Sequence, residues 1–261
     1  MLESVIVLGI AGTVAGAGLL IASKKFSVEK DPRIEKVLEL LPSANCGGCG
    51  YPGCAALAEA MVKGEAKIDA CPVGGSDTVK AIAEFLGIEY LTTIKKVAKV
   101  RCNGTKENCD EKYIYNGPGD CHSITLLAGG IKKCTYGCVG GGSCVTACKF
   151  DAIYIGSGGI PIVDDEKCTA CGMCVKACPR NLIEILPVDK KFLVKCRSLD
   201  KGVDAKNFCK TACIACKLCQ KNCPVDAITV DNNVAYINAD KCINCGKCEE
   251  VCPTKAIVKY E

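Results

Sequence analysis

The hydropathy of the chain takes three characters in turn. Residues 4–23 (SVIVLGIAGTVAGAGLLIAS) form one unbroken apolar run without a charge, the length of a single bilayer-spanning helix of about 20 residues. Glu3 precedes the run, and Lys24 and Lys25 follow it at once. By the positive-inside rule this charge placement keeps the bulk of the chain on the cytoplasmic side. A cleaved signal peptide would carry its basic residues before the apolar run instead. Gly12 and Gly16 make a GxxxG, a spacing that lets membrane helices pack closely.

Periodicity near 3.6 takes over after residue 30. Residues 31–41 (DPRIEKVLELL) place an N-cap Asp and a first-turn Pro before apolar residues at helical spacing, and Pro42 ends the helix. A second short helix is predicted over 55–63. In the C-terminal half the period drops to two. Residues 152–155 and 160–163 flank Gly-Ser-Gly-Gly, and 227–230 and 234–237 flank Asp231-Asn232-Asn233, which predicts two hairpins. The fold class expected is therefore α+β.

These elements are too short and too poor in large apolar rings to cohere alone. The 261 residues include five Phe, eight Tyr and no Trp, but 25 Cys. Cysteine at this density means disulfides in a small secreted domain or metal in a reducing compartment. The odd count and the recurrent spacing of two favour metal.

Four cysteines come first, in the string NCGGCGYPGC: Cys46, Cys49 and Cys54, with Cys71 further on, a C-x2-C-x4-C-x16-C array. Cys54 opens a predicted helix, whose dipole favours a thiolate. Structural zinc also takes four cysteines, and spacing alone leaves it open here. Further on, the chain repeats itself. Cys168, Cys171, Cys174 and Cys178 precede Pro179; Cys213, Cys216, Cys219 and Cys223 precede Pro224; Cys242, Cys245, Cys248 and Cys252 precede Pro253. Each is C-x2-C-x2-C-x3-C-P, the bacterial ferredoxin run whose fourth cysteine ligates the other cluster of a pair. A looser fourth copy, Cys134, Cys138, Cys144 and Cys148, is followed by Lys149-Phe150-Asp151-Ala152-Ile153, which aligns with the residues after Cys223.

Crossing of the fourth ligand predicts the sets. Cys134, Cys138, Cys144 and Cys178 form one, and Cys168, Cys171, Cys174 and Cys148 the next. Cys213, Cys216, Cys219 and Cys252 form a third, and Cys242, Cys245, Cys248 and Cys223 a fourth. With the N-terminal array this makes five [4Fe–4S] clusters. Cys102, Cys109, Cys121, Cys196 and Cys209 remain. The first three lie beside His122, the only histidine, and are the candidates for a sixth cluster; buried thiols behaving as small hydrophobes are the alternative.

Charge then needs restating. The sequence sums to +4, but a cubane with four thiolates carries about −2, so the loaded chain is acidic and no nucleic-acid partner follows from its pI. Residues 190–221 hold nine basic side chains against Asp200 and Asp204, a net +7. Such a patch attracts an acidic carrier protein. G-x-x-x-x-G-K-[ST] does not occur, and the one G-x-G-x-x-G (Gly48, Gly50, Gly53) lies inside the cysteine array and not between a strand and a helix, so no nucleotide site is expected.

The CGGCGYPGC string, within residues 30–75, closely resembles the [4Fe–4S] domain shared by Rnf B subunits and the large subunit of corrinoid iron–sulfur proteins. The preceding anchor points to Rnf, and the tandem ferredoxin runs extend that resemblance over essentially the whole chain. It implies a membrane anchor (1–25), a single-cluster domain (28–76), a connecting region (77–130) and a first two-cluster ferredoxin unit (131–190). A basic connector with a second such unit (191–261) completes the organisation. It also implies a subunit of an ion-translocating oxidoreductase, held in the cytoplasmic membrane, that takes electrons from soluble reduced ferredoxin. The electrons pass to membrane-embedded subunits, which reduce NAD⁺ coupled to Na⁺ or H⁺ export. Shorter family members carry one ferredoxin unit, so the second extends the input end. Two rival readings are an electron donor to a redox-sensing regulator and a metal-stapled scaffold.

Overall fold

The computed structural model describes residues 9, 12–21, 31–90 and 94–260. Residues 12–21 are helical, with Val14, Leu19, Leu20 and Ile21 exposed. Among the described residues no helix is long and apolar enough to cross a membrane. Of the expected span over 4–23, residues 4–8, 10, 11, 22 and 23 lie outside the described residues.

A three-helix domain comes first. Helix α1 (Pro32–Leu40) is capped by Asp31, whose carboxylate accepts from Arg33 N, with Pro32 in the first turn. Helix α2 (Cys54–Val62) buries Leu57, Ala58 and Met61 against Val37 and Leu41. Helix α3 (Gly75–Leu86) adds Ile82 to the same core and stops at Gly87, which has a left-handed conformation. The connecting region expected over 77–130 is therefore not a separate piece. Its start completes the first domain because Val79, Ile82 and Ala83 form an apolar stripe with nowhere else to be buried.

Beyond residue 95 the chain forms four two-stranded antiparallel sheets. Strands β2 (Ile153–Ile155) and β3 (Pro161–Val163) make one hairpin, and β6 (Ile228–Asp231) and β7 (Val234–Ile237) make the other. The remaining two sheets join distant segments. Strand β1 (Lys96–Val100) pairs with β4 (Ile183–Pro187), and β5 (Phe192–Val194) pairs with β8 (Ile257–Lys259). The pairings are equivalent: Val100 faces Ile183 as Val194 faces Ile257. Just beyond them, Arg101 N donates to Leu182 O at 2.7 Å, as Lys195 N donates to Ala256 O at 2.8 Å. Each ferredoxin unit thus comprises a hairpin and a closing strand pair, and the first begins at β1 rather than at residue 131.

Buried thiols fill the space that rings would fill elsewhere. The first unit's core sets Val97, Ala98, Ile153 and Ile183 among cysteines, and the second sets Val194, Ile228, Ala235 and Ile257 among others. The two units are locked together by Arg101. Its buried guanidinium pairs with Glu184 at 2.9 Å and donates to Val194 O and Ala235 O of the second unit, both at 3.3 Å. Tyr260 of the second unit donates back to Val100 O at 2.8 Å. The three-helix domain meets the first unit at Gly48. A Cβ on Gly48 would lie 2.7 Å from the backbone oxygen of Cys171, so only glycine fits.

Candidate metal centres

Backbone conformation fixes the register of the repeated runs. Ala170, Ala215 and Asn244, each two residues after the first cysteine of a run, have φ of 57°, 52° and 59°. Two residues further stand Gly172, Lys217 and Gly246, with φ of 76°, 61° and 79°. Asn181, Asp226 and Lys255, each three residues past the last cysteine, have φ between 47° and 52°. Left-handed non-glycine residues cost energy and mark a tightly specified loop. The looser run shows the same sequence of conformations at Gly140, Gly142 and Asp151, with φ of 76°, 75° and 50°. Its first position is therefore Cys138, its third Cys144 and its fourth Cys148; at its second position stands Gly141.

Four cavities of similar size are ringed by the predicted sets. Cys46, Cys49, Cys54 and Cys71 surround about 290 Å³. Cys168, Cys171, Cys174 and Cys148 surround about 320 Å³, and Cys213, Cys216, Cys219 and Cys252 about 340 Å³. Cys242, Cys245, Cys248 and Cys223 surround about 330 Å³. In each ferredoxin cavity three thiols come from one run and the fourth from its partner. The short helices α6 (Met173–Lys176), α8 (Leu218–Lys221) and α9 (Lys247–Glu250) carry the third cysteine of each run inward as Cys174, Cys219 and Cys248.

The fit of these rings to a metal group is a matter of size and donor type. Zinc draws four thiolates to about 2.3 Å from one point. Here, among the described residues, no three Cys, His, Asp or Glu side chains converge tightly enough for a single ion. Four soft thiols that ring one cavity without converging on a point suit a polynuclear iron–sulfur group. Backbone amides turn towards the sulfurs as well. Ala98 N donates to Cys168 Sγ at 3.3 Å, Ala235 N to Cys213 Sγ at 3.4 Å, and Ala227 N to Cys223 Sγ at 3.3 Å.

The set predicted around Cys134 needs correction. Cys138, Cys144 and Cys178 stay together in the first unit's core, but Cys134 joins the second unit's core with Cys196 and Cys209. Cys121 stands close to Cys138 and Cys144, near enough to raise both thiols. It opens helix α4 (Cys121–Leu126), capped by Asp120, and its N–H donates to Ser143 Oγ at 2.9 Å at the start of α5 (Ser143–Thr146). A Cβ at Gly141 would lie 2.8 Å from Cys121 N. Glycine at the second position thus leaves room for a cysteine supplied from upstream. The C-x3-C of Cys134 and Cys138 misleads because the run starts at the later of the two.

Electrostatics of the free thiols follows from their crowding. Burial, and then the neighbouring sulfurs, push Cys174 and Cys248 up to about 12 and Cys144 to about 11. Burial, then Cys102 and Cys121, push Cys138 up to about 12. Such thiols stay protonated at neutral pH until a metal takes the proton's place.

The remaining predicted features are only partly gathered. Of the basic stretch, Lys201, Lys206 on helix α7 (Gly202–Phe208), Lys210, Lys217 and Lys221 are exposed. Arg197 instead donates to Asn181 O at 2.8 Å and pairs with Glu184 at 3.2 Å, and Lys195 lies over the Tyr260 ring. His122 faces solvent at the start of α4.

Thiol rings with exchanged fourth members, on paired strands and hairpins, define an iron–sulfur protein of the ferredoxin type. Family models agree segment by segment: an Fe-S cluster model matches residues 41–73, a 4Fe-4S binding domain 161–184, and a 4Fe-4S dicluster domain 212–256. Among curated relatives, the chain is 52% identical to the B subunit of the Na⁺-translocating ferredoxin:NAD⁺ oxidoreductase complex of Acetobacterium woodii, covering 90% of this chain and 71% of that one. It is 44% identical to the B subunit of the ion-translocating oxidoreductase complex of Methanosarcina acetivorans, over 92% and 91% of the two chains. The proton-translocating counterpart from Clostridium ljungdahlii is 40% identical over 89% and 82%. The chain belongs to the family of B subunits of Rnf ion-translocating ferredoxin:NAD⁺ oxidoreductase complexes.

Proposed function

We propose that this chain is the iron–sulfur electron-transfer subunit of such a complex, taking electrons from soluble ferredoxin and passing them towards membrane-embedded partners. The observation that carries this reading is the exchange of fourth thiols: Cys252 closes the ring of Cys213, and Cys223 closes that of Cys242. Five quartets then hold [4Fe–4S] clusters. They are Cys46, Cys49, Cys54 and Cys71; Cys148, Cys168, Cys171 and Cys174; Cys121, Cys138, Cys144 and Cys178; and the two sets of the second unit. The clusters supply one-electron chemistry when bound. The chain's own residues fix their order, direct N–H groups at their sulfurs and exclude water by burial.

Order follows from contact. Cys216 and Cys245 are the exposed cysteines, both in the second unit, and so form the accessible input end. Gly48 lies against Cys171, so the three-helix domain takes over where the first unit ends. That domain follows the apolar N-terminal segment, which we read as a single-pass anchor holding the rest on the cytoplasmic face. The test is Cys223→Ala in anaerobically purified protein. The paramagnetic signal lost should belong to the centre of Cys242, Cys245 and Cys248, and differ from the one lost in Cys219→Ala. Loss of one and the same signal in both variants would refute the crossed assignment.

A further inference from the structure

Five cysteines stand outside the five quartets: Cys102, Cys109, Cys134, Cys196 and Cys209. All five line one further cavity, comparable in size to those ringed by four of the quartets. All five are buried.

The internal repeat sorts them. Val100-Arg101-Cys102 leaves strand β1 as Val194-Lys195-Cys196 leaves β5. Cys102 Sγ accepts from Gly104 N at 3.4 Å and from Cys138 N at 3.4 Å. Cys196 Sγ accepts from Ser198 N at 3.5 Å and lies beside the backbone N–H of Cys213. Cys138 and Cys213 are the first cysteines of their runs. Cys134 precedes Cys138 by the same C-x3-C that sets Cys209 before Cys213. Both of these sulfurs lie near the backbone N–H two residues on, that of Tyr136 and that of Thr211. Each unit therefore gives one cysteine from the end of its closing strand and one from just ahead of its first run. Cys109 has no counterpart, since Val203 stands at the matching distance after Cys196; its thiol donates to Asp110 O at 3.9 Å instead.

We propose that Cys102, Cys134, Cys196 and Cys209 hold a sixth [4Fe–4S] cluster at the junction of the two ferredoxin units, with Cys109 a hydrogen-bond donor and not a ligand. The site is built from two halves, neither of which completes it alone. Its ligands lie against the backbone N–H of Cys138 on one side and of Cys213 on the other, so it bridges the centres that face each other across the junction. An electron crossing it oxidises the second unit's centre by one equivalent and reduces the first's by one, with no bond made or broken. Arg101, which ties Glu184 to Val194 O and Ala235 O, keeps the two halves in register.

The inference rests on the reading of the chain as a multi-cluster carrier, and its test separates the two. Full-length protein purified anaerobically should hold about 24 iron and 24 acid-labile sulfide. Cys196→Ser and Cys209→Ser should each fall to about 20, with the other centres still reduced by dithionite, and Cys109→Ser should keep the full complement. Wild-type protein at about 20 iron, unchanged in Cys196→Ser, would overturn the bridging site and leave the carrier reading standing. Zinc with little sulfide throughout would overturn both. Loss of iron in Cys109→Ser but not in Cys102→Ser would overturn the symmetric ligand set. Should Cys196→Ser fail to fold, the wild-type count and Cys102→Ser carry the same decision.

Discussion

At the scale of single residues, the function of this chain is set by which sulfurs meet. Cys121 is the clearest case. If it replaces the thiol that Gly141 lacks, Cys121→Ala should abolish the signal of the Cys138, Cys144 and Cys178 centre. Iron should fall by about four per chain while the neighbouring centres persist. Paramagnetic resonance and iron analysis on the same sample check this. The thiols also predict a pH dependence. Cys174, Cys219 and Cys248, free of metal, are pushed up to about 12, 11 and 12, mainly by burial. A raised thiol in the folded, metal-free chain favours that state below the ordinary thiol range near 8.5, and this contribution is lost as pH climbs towards 11–12. Ligation demands the thiolate, so assembly must expel those protons and strengthens as pH rises. Holoprotein should therefore lose its visible band on acidification, and anaerobic reconstitution at pH 8.5 should outpace that at pH 6.5. A reconstitution yield indifferent to pH would mean that thiol deprotonation does not limit assembly. None of the Cys121 chemistry is legible in the sequence run itself, because a glycine records the missing ligand without naming its substitute. The other sets were legible, since four cysteines at fixed spacing admit one folding of the loop.

Among the elements, the hairpins were readable because their partners lie a turn apart and alternate in hydropathy. Strands β1 and β5 were not: each is short, and each pairs with a strand whose position no local pattern announces. The same holds for α3, whose amphipathic stripe sits in a stretch that otherwise reads as a connector. Two contacts between elements invite mutation. Arg180 Nη2 donates to Gly129 O at 2.6 Å, and Nη1 donates to Gly137 O at 2.9 Å and to Thr135 O, clamping the loop that delivers Cys134 and Cys138. Charged hydrogen bonds of this kind contribute a few kcal/mol together, so Arg180→Ala should cost about 3 kcal/mol. Denaturant titration followed by the visible band should show a lowered midpoint and early bleaching. Gly48→Ala acts on a rigid backbone neighbour instead of a side chain that can turn aside. It should leave the Cys46 to Cys71 centre loaded but loosen the docking of the three-helix domain. Hydrogen exchange should then rise at residues 47–50 and 169–172; unchanged protection would mean that the contact does not hold the domains together.

For the whole molecule, a chain of centres is useful only if electrons arrive at one end. If the exposed cysteines Cys216 and Cys245 mark that end, it lies on the second unit, where the exposed lysines Lys201, Lys206, Lys210, Lys217 and Lys221 also lie. Not all of the basic stretch can serve. Lys190 donates to Cys242 O at 3.0 Å and Arg197 braces Glu184, so these charges are committed to the fold, and replacing them would report on stability. The test therefore takes Lys201, Lys206 and Lys210 to Glu together. If reduced ferredoxin, an acidic carrier, docks here, the triple variant should be reduced by it at least tenfold more slowly at low salt. The difference should shrink as the Debye length shortens to about 10 Å at 0.1 M, because steering acts on the association rate. Reduction by dithionite should be unaffected, which separates docking from damage to the centres. Stopped-flow rates over a range of ionic strength measure both. A variant matching wild type in rate and salt slope would move the docking site away from these lysines and leave the exposed Cys245 loop, with Lys241 and Lys247 beside it, as the surface to alter next.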